Sequence, residues 1–369
     1  MSPSRLCISL FLFVAAGSML VDPVAAQDMR AGRATALTNQ ERAVRVSFQP
    51  TYQRFSDDEL VLTQSSTPLS IIVPFRDQWQ LTVQGSAATV GGDNLTTVSG
   101  ISDVEATVSY AASVGAGSVI GTISATAPTG TDRHTRDEFD TVTLLSQDLY
   151  PVRVPGFGHG GGVGGGATWA VSVDESFVVG IGASYRHRGG YKPVEGLQGT
   201  YNPGNETRLT GGFDYRIGPT SALSADVSFF LYGTDTLDYE EQFNVGNRLF
   251  LRVRYLREWG FRSLRVRVRY EEQNESAIPN IGQKLQAVPS QVGLHVRYGT
   301  RLTDDLRLDS FSAIRWYDET ATLGAKGVGA VGVEPQVVLT DQFVAVPRFV
   351  LTIGGITGIE AGLGFSWTW

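Results

Sequence analysis

Three consecutive segments carry basic residues at alternating positions, and this alternation restricts the fold more than any other feature of the sequence. In the first segment Arg248, Arg252 and Arg254 alternate with apolar residues. Arg265, Arg267 and Arg269 alternate with apolar residues in the second segment, and His295 and Arg297 do so in the third. Side chains alternate between the two faces of a β-strand, so each segment would have one basic and one apolar face. The sequence therefore predicts strands whose two faces meet very different surroundings.

The cost of placing arginine in lipid decides which face points where. An arginine at the midplane of a membrane costs about 2 to 4 kcal/mol, so three in a row must face a hydrated lumen. Beyond the N-terminal region no stretch offers 18 consecutive apolar residues, which excludes an ordinary transmembrane helix. We predict an all-β fold, a single transmembrane antiparallel up-and-down β-barrel with its apolar faces against lipid.

The spacing of the alternating segments predicts about sixteen strands. Connections after even-numbered strands are short, whereas most of those after odd-numbered strands are long, as in barrels with short periplasmic turns and long external loops. Fourteen strands remain an alternative if the segments that contain Pro50 and Pro347 are not full strands. The predicted strands cover residues 44–52, 59–73, 79–90, 101–114, 118–127, 160–173, 176–187, 206–217, 221–232, 246–257, 261–272, 290–302, 306–317, 328–339, 343–353 and 359–369.

The N-terminal region predicts export. Arg5 precedes an apolar run over residues 6–21, and Val24-Ala25-Ala26 provides small residues before a cleavage site. The alternative, a membrane anchor, would need roughly 20 apolar residues. We therefore expect a signal peptide over 1–26, a short periplasmic tail over 27–42 and the barrel over 43–369. The single cysteine lies in the signal, which excludes disulfides and thiolate metal sites, and nothing in the charge pattern suggests nucleic acid.

The last strand carries a second indication of an outer-membrane barrel. Trp367 and Trp369 alternate with small residues, and Gly364 lies five places before the end. This pattern resembles the C-terminal signal that the barrel-assembly machinery recognises in Gram-negative bacteria. We expect outer-membrane lipid and lipopolysaccharide as further partners, and localisation in the bacterial cell outer membrane. The predicted aromatic girdles comprise Tyr255, Tyr270, Tyr298, Trp316, Trp367 and Trp369.

The inward basic residues form the candidate site, with two interpretations open. They line a pore that favours anionic or polarisable solutes, or they form a closed network with inward acids such as Asp214, Asp226, Glu271 and Asp309. The predicted pore-lining basic patch comprises Arg208, Arg216, Arg252, Arg254, Arg265, Arg267, Arg269, Arg297, Arg307 and Arg315.

The connection over residues 128–157 contains too many apolar residues for a freely solvated loop. Phe139, Val142, Leu144, Leu145 and Leu149 follow its charged part. We hypothesise that it folds inward and constricts the lumen, or caps the mouth of the barrel.

Enzymatic readings find little support. The stretch His159-Gly160-Gly161-Gly162 resembles an esterase oxyanion loop, but the chain contains no Gly-x-Ser-x-Gly nucleophile elbow. His134 lies among acidic residues that could supply an acid/base pair or a metal site, but a solvated mixed-charge loop is the simpler explanation. We predict no enzyme, no cofactor and no metal site, and small inward residues around the glycines.

Three stretches carry a family resemblance. Residues 74–81 (PFRDQWQL), 99–104 (SGISDV) and 127–130 (APTG) resemble the outer-membrane proteins grouped with the MetA-pathway phenol-degradation proteins, which are distantly similar to long-chain fatty-acid transporters. The resemblance implies a porin-like barrel that passes small or hydrophobic molecules passively. Our prediction is an outer-membrane channel or passive transporter for small molecules, with hydrophobic and anionic solutes as candidates. The alternative is a non-transporting structural, adhesion or sensing barrel that acts through its external loops.

Overall fold

The computed structural model describes residues 43–58, 60–146, 149–319 and 324–369. The predicted signal peptide and periplasmic tail lie outside these ranges. One helix, α1 (Arg136–Ser146), interrupts a chain that otherwise consists mainly of strands. The strands are, in chain order, β1 (Arg45–Phe48), β2 (Thr51–Ser56), β3 (Val61–Phe75), β4 (Trp79–Asp93), β5 (Leu95–Ile101), β6 (Val104–Val114), β7 (Gly117–Ala127), β8 (Gly162–Ser172), β9 (Phe177–Arg188), β10 (Tyr201–Asn202), β11 (Glu206–Gly218), β12 (Ser221–Tyr232), β13 (Thr234–Leu237), β14 (Glu240–Asn244), β15 (Arg248–Trp259), β16 (Arg262–Gln273), β17 (Ser276–Ile278), β18 (Gln283–Leu285), β19 (Gln291–Arg301), β20 (Leu306–Tyr317), β21 (Lys326–Thr340), β22 (Phe343–Gly354) and β23 (Thr357–Thr368).

These strands form a closed antiparallel barrel of sixteen strands, as predicted. Each barrel strand pairs with its neighbours in the chain, and closure comes from β1 and β2, which pair with β23 on one side and β3 on the other. At the seam the Val44 and Trp369 backbones exchange hydrogen bonds of 2.8 and 3.0 Å. Closure leaves the barrel no unpaired edge strand.

Two barrel strands are interrupted. Gln49 and Pro50 separate β1 from β2, but the pairing resumes because Gln49 N–H donates to the Pro68 carbonyl at 3.1 Å and Leu363 N–H donates to the Pro50 carbonyl at 2.9 Å. Residues 102–103 separate β5 from β6 in the same way. Pro347 lies inside β22. Both proline-containing segments are thus full strands, which decides for sixteen rather than fourteen.

The connections differ at the two ends of the barrel. At the turn end, tight turns join the strands, as between β6 and β7, where Gly115 adopts a left-handed φ of 60° that glycine accommodates without steric cost. At the loop end, the long connections contain α1 and a separate five-stranded sheet of β10, β13, β14, β17 and β18. The sequence predicted only loops where this second sheet lies.

The register places like residues on like faces. Between β15 and β16, Val253 lies opposite Val268, and Arg252 lies opposite Arg269. Val268 is 41% exposed, whereas Arg252 is only 3% exposed. The apolar face therefore points outward and the charged face inward, as expected for a barrel whose exterior meets lipid.

Outward aromatic rings lie near both ends of the barrel. Trp79 and Tyr110 pack with ring centroids 4.6 Å apart near the turn end, and so do Trp367 and Trp369 at 5.0 Å. Tyr270 lies near the loop end of β16. The two levels agree with aromatic girdles at the two membrane interfaces.

Candidate functional site in the barrel lumen

Part of the connection between β7 and β8 crosses the barrel interior, and we call residues 149–159 the inner segment. The Gln53 amide on β2 donates to the Pro151 carbonyl at 2.9 Å. The Arg153 N–H donates to the side-chain oxygens of Gln53 and Gln64 at 2.8 and 3.0 Å. The Gln64 amide on β3 donates to the Val154 carbonyl at 2.6 Å. Two buried glutamines thus bind the backbone of the inner segment.

The Arg153 side chain connects the inner segment to a chain of ion pairs on another part of the wall. It pairs with Glu360 on β23, which also pairs with Arg348 on β22 at 2.5 Å. Arg348 pairs with Glu334 on β21 at 2.6 Å, and Glu334 pairs with Arg297 on β19. The charge of the inner segment is therefore neutralised by the wall, which compensates part of its desolvation.

A second attachment lies closer to the loop end. The Tyr150 hydroxyl donates to Asp57 Oδ2 at 2.9 Å, and Lys326 Nζ pairs with the same oxygen at 3.1 Å. The Tyr317 hydroxyl donates to the Leu149 carbonyl at 3.4 Å. Residues from β20, β21 and the β2–β3 connection thus hold the start of the inner segment.

Asp103, between β5 and β6, fixes the two ends of the connection. Its carboxylate accepts hydrogen bonds from the Gly130 N–H at 2.9 Å and the His159 N–H at 2.7 Å. The contacts of residues 149–159 with inward-facing side chains confirm that the connection folds into the barrel.

Helix α1 explains the apolar residues of this connection. Thr135 and Glu138 form a capping box, in which Thr135 N–H donates to Glu138 Oε2 at 2.8 Å and Glu138 N–H donates to Thr135 Oγ1 at 3.4 Å. Phe139, Val142 and Leu145 follow at helical spacing and are at most 1% exposed. The Thr-x-x-Glu motif was the sequence signal that could have predicted the helix.

A cavity of about 640 Å³ lies inside the barrel between the inner segment and the wall. Arg153, Val154 and Phe157 of the inner segment line one side. The other side is formed by residues of strands β1, β3, β4 and β23, with contributions from β6, β7, β9, β21 and β22. The cavity therefore lies along the lumen and extends from the inner segment towards the turn end.

The predicted basic patch is interleaved with acids. Arg252 Nε and Arg254 Nη2 lie 3.3 and 3.7 Å from Asp226 Oδ2 on the neighbouring strand. Arg269 pairs with Glu271, which is 1% exposed. The arginines lie on the inward face of β15 and β16, and the carboxylates of Asp226 and Glu271 each pair with two guanidinium groups.

A second group of the patch surrounds Asp309 on β20. Arg297 Nε and Arg307 Nε lie 3.3 and 2.9 Å from its carboxylate oxygens. Asp309 is 3% exposed, so its pairing with the two arginines occurs largely away from solvent.

Arg208 belongs to neither group. It donates a hydrogen bond to Ser228 Oγ on the neighbouring strand at 3.3 Å.

The remaining four arginines also occupy inward register positions but are dispersed. Arg315 donates to the Tyr317 hydroxyl at 2.8 Å near the loop end of β20. Arg265 and Arg267 follow each other on β16, and Arg216 lies near the turn end of β11. The structure therefore distributes the ten arginines over the height of the lumen and does not form one compact site.

Inward aromatic rings between the arginines were missed by the sequence analysis. The guanidinium carbons of Arg208 and Arg248 lie 5.1 and 4.7 Å from the ring centroid of Phe230. Arg348 lies 4.6 Å from the ring centroid of Phe311. Such contacts hold the guanidinium groups against the wall. The sequence signal that could have predicted these rings is a phenylalanine on the strand face that otherwise carries polar residues.

The glycine-rich strand β8 forms a smooth part of the lumen wall. Gly162, Gly164 and Gly166 occupy inward register positions and pair with inward residues of β7 and β9. A Cβ at Gly166 would lie 2.6 Å from the Ser184 Cβ, so a side chain there would force its neighbour to move. The lumen is thus lined by small residues on β8 and by charged side chains on strands such as β15, β16 and β20.

Two of the histidines illustrate how different their surroundings are. His134 is 1% exposed and burial lowers its pKa. His187 Nδ1 lies 2.8 Å from Asn205 Oδ1. Across the described ranges, no group of three or more His, Cys, Asp or Glu side chains is placed to hold a metal ion. None of the described helices is long and apolar enough to span a membrane.

Comparisons with known proteins give a likeness in fold only. No family model matches the sequence, and no curated protein does. CdiB from Acinetobacter baumannii superposes with a TM-score of 0.53 and 10% identity, over 88% of this chain and 60% of that one. The COG4313 outer membrane channel from Pseudomonas putida F1 gives 0.42 and 12%, over 89% and 96% of the two chains. The CymD monoaromatic hydrocarbon channel gives 0.46 and 11%, over 92% of each.

Proposed function

We propose that this protein is an outer-membrane channel that passively admits small molecules. The observation that carries the proposal is the closed barrel of sixteen strands with an apolar exterior, a charged and hydroxyl-rich interior and a cavity of about 640 Å³ along its lumen. A lumen of this polarity suits a hydrated passage.

The inner segment defines how wide the passage is. Its hydrogen bonds to Gln53 and Gln64 and its ion pair with Glu360 hold it across the interior. We expect a small conductance in this state, and a larger one when the segment detaches. The basic patch contributes a balanced field, because its arginines alternate with carboxylates.

Planar-bilayer recording tests the proposal. Purified protein added to one chamber should give discrete, stepwise conductance increments, and the empty detergent buffer gives the baseline. If the barrel resists heat and detergent, and is therefore folded, but no conductance steps are observed, the result would contradict transport.

One observation favours the second candidate, a barrel that acts through its external loops without transport. The five-stranded sheet at the loop end is an ordered structure beyond the barrel, and Tyr239 at its β13–β14 turn is 93% exposed. Exposed aromatic residues on ordered loops are typical of recognition surfaces. Binding without conductance would favour this candidate.

The proposal includes the surroundings of the protein. Outward apolar residues and the two aromatic levels suit outer-membrane lipid, with lipopolysaccharide at the loop end and the barrel-assembly machinery acting on β23. The proposal assigns no enzymatic activity, because the sequence has no Gly-x-Ser-x-Gly nucleophile elbow to accompany the glycine-rich strand.

A further inference from the structure

A row of uncharged polar side chains crosses the cavity wall, and we call Ser366, Ser47, Ser70 and Gln84 the neutral row. Ser47 on β1 lies opposite Ser366 on β23 and opposite Ser70 on β3, and Ser70 lies opposite Gln84 on β4. All four line the cavity. Paired strands are about 4.8 Å apart, so a solute can contact successive members of the row.

The neutral row has hydrogen-bonding capacity available, unlike the charged groups of the cavity. In the part of the chain that the structure describes, its four side chains make no hydrogen bond to protein atoms. By contrast, the arginines of the cavity are paired. Arg186 Nη2 lies 3.4 Å from Glu105 Oε2, and Arg188 Nη2 lies 2.9 Å from Glu206 Oε2. Arg153 pairs with Glu360. The groups ready to receive a solute are therefore hydroxyls and an amide.

The same register continues beyond the neutral row towards the loop end. Gln84 pairs with Glu105, Glu105 with Thr126, Thr126 with Gly162, and Gly162 with Arg188. Because barrel strands are staggered, the path rises from near the turn end of β23 to the loop end of β9. Seven steps between strands measure about 34 Å along the wall, and at a strand tilt of about 35 to 45° this corresponds to a rise of roughly 19 to 24 Å, close to the apolar band of roughly 25 Å. The path therefore traverses the membrane.

The chemistry of the neutral row selects a class of solute. A hydroxyl and a carboxamide each donate and accept hydrogen bonds. An apolar solute would leave these groups without partners, at about 1 to 3 kcal/mol each. An anion would meet arginines that are already paired and a row that carries no charge. A solute with many hydroxyl groups and no charge satisfies the row along its whole length.

We propose that the neutral row binds uncharged polyhydroxylated solutes, sugars or their polyols, and that these are the preferred cargo. This inference rests on the proposed function, because it assigns a solute class to the same lumen. The cavity volume of about 640 Å³ lies within the range of roughly 300 to 1,000 Å³ usual for small-molecule sites.

The test compares solutes that share a six-carbon skeleton and differ in charge. Efflux of radiolabelled sorbitol, gluconate and glucamine is measured from proteoliposomes whose membrane potential is clamped. We expect sorbitol to leave severalfold faster than either charged solute. Faster efflux of gluconate or glucamine would overturn the inference.

Variants of the row provide the second arm. The double variant Ser70→Val/Gln84→Leu replaces two side chains of the row with side chains of similar volume that cannot form hydrogen bonds. It should lower sorbitol efflux at least threefold and leave gluconate efflux unchanged. Ser65→Val is the matched control, because Ser65 lies on the outward face of β3. Heat modifiability checks that the barrel is folded in both variants. An unchanged rate of sorbitol efflux in the folded double variant would overturn the inference.

Cysteine protection provides a readout of binding itself. Ser70→Cys is reacted with a neutral methanethiosulfonate reagent, and sorbitol should slow the modification, whereas gluconate should not. Equal protection by the two solutes would overturn the inference. The arms also separate it from the proposed function: absence of any conductance removes the channel and the cargo together, whereas conductance with a preference for gluconate removes only the cargo.

Discussion

The Gln64 side chain and the Val154 backbone hydrogen-bond in both directions: Gln64 Nε2 donates to the Val154 carbonyl at 2.6 Å, and its Oε1 accepts from the Val154 N–H at 2.9 Å. A side-chain amide has the same donor and acceptor as a peptide group. Gln64 therefore binds the inner segment as a neighbouring strand would, but from a single fixed point on the wall. Removal of this contact should loosen the middle of the inner segment and leave the barrel unchanged, while Gln53 and Glu360 continue to hold Arg153.

We expect Gln64→Leu to widen the channel. The substitution leaves the Val154 N–H and carbonyl without their partner, at about 1 to 3 kcal/mol for each buried group. Single-channel recording should show larger and more frequently fluctuating steps than in the unmodified protein. Gln80→Leu, on the inward face of β4 away from the inner segment, is the control and should keep the original conductance. Equal conductance in all three proteins would show that the segment does not limit the passage.

We expect Asp309→Asn to shift ion selectivity towards anions. The substitution removes the carboxylate that Arg297 and Arg307 share, so that Arg297 keeps only Glu334 as a partner and the positive charge at the lumen wall increases. The reversal potential in a salt gradient should move towards that of chloride. Arg297→Gln should shift the reversal potential the other way. Unchanged reversal potentials in both variants would place these residues outside the ion path.

We expect Trp369→Asp to impair membrane insertion. The Trp369 ring is 52% exposed beside Trp367, at the level of the turn-end girdle. A carboxylate there would enter the interfacial region in place of an aromatic ring. The fraction of heat-modifiable protein in outer-membrane extracts should fall severalfold. Thr368→Asp, on the inward face of the same strand, is the control and should insert normally; equal insertion of both variants would contradict the prediction.

We expect the external sheet to loosen as pH rises through about 6. Burial raises the pKa of the Asp235 carboxyl from 3.8 to about 6, although the Gly204 N–H and the Tyr201 hydroxyl donate hydrogen bonds to it. The folded sheet thus favours the neutral acid, so its stability is greatest below pH 3.8 and decreases until Asp235 is ionised above pH 6.

Hydrogen exchange of residues 234–244, corrected for intrinsic rates, measures this effect. Protection should be higher at pH 4.5 than at pH 7.5, and Asp235→Asn should remove the difference. Glu241→Gln, at an exposed position of β14, should retain it. Protection that is higher at pH 7.5 than at pH 4.5 would contradict the sign of the prediction.

The barrel was predictable because lipid imposes one rule on every strand. Arg252 and Val253 differ so strongly in transfer cost that their parity alone assigned the two faces, and the short turns supplied the strand count. The segment that contains Pro50 also forms a full strand, since its backbone hydrogen bonds to the neighbouring strands continue on both sides of the proline. No comparable rule applies at the loop end, where water surrounds the chain and many arrangements satisfy the same polar residues.

The candidate site was therefore only partly predictable. The apolar residues of the connection that contains Phe139 indicated that it folds inward, but not where it attaches. In the sequence Gln53 and Gln64 resemble any other residues that face the lumen. The alternation along a strand places a glutamine on the inward face, but it does not show whether that glutamine contacts water or the backbone of the inner segment. The attachment depends on residues some ninety to one hundred positions apart, and single-strand patterns contain no such information.

The pairing of Val44 with Trp369 has a consequence for how the protein comes apart. An open sheet loses its outermost strand first and shortens step by step, whereas a ring offers no outermost strand. To begin unfolding, the ring must lose a whole seam of backbone hydrogen bonds at once, and in hydrocarbon no water replaces them. We therefore expect a single slow rupture instead of gradual fraying, so that the lifetime of the folded protein is set by a kinetic barrier.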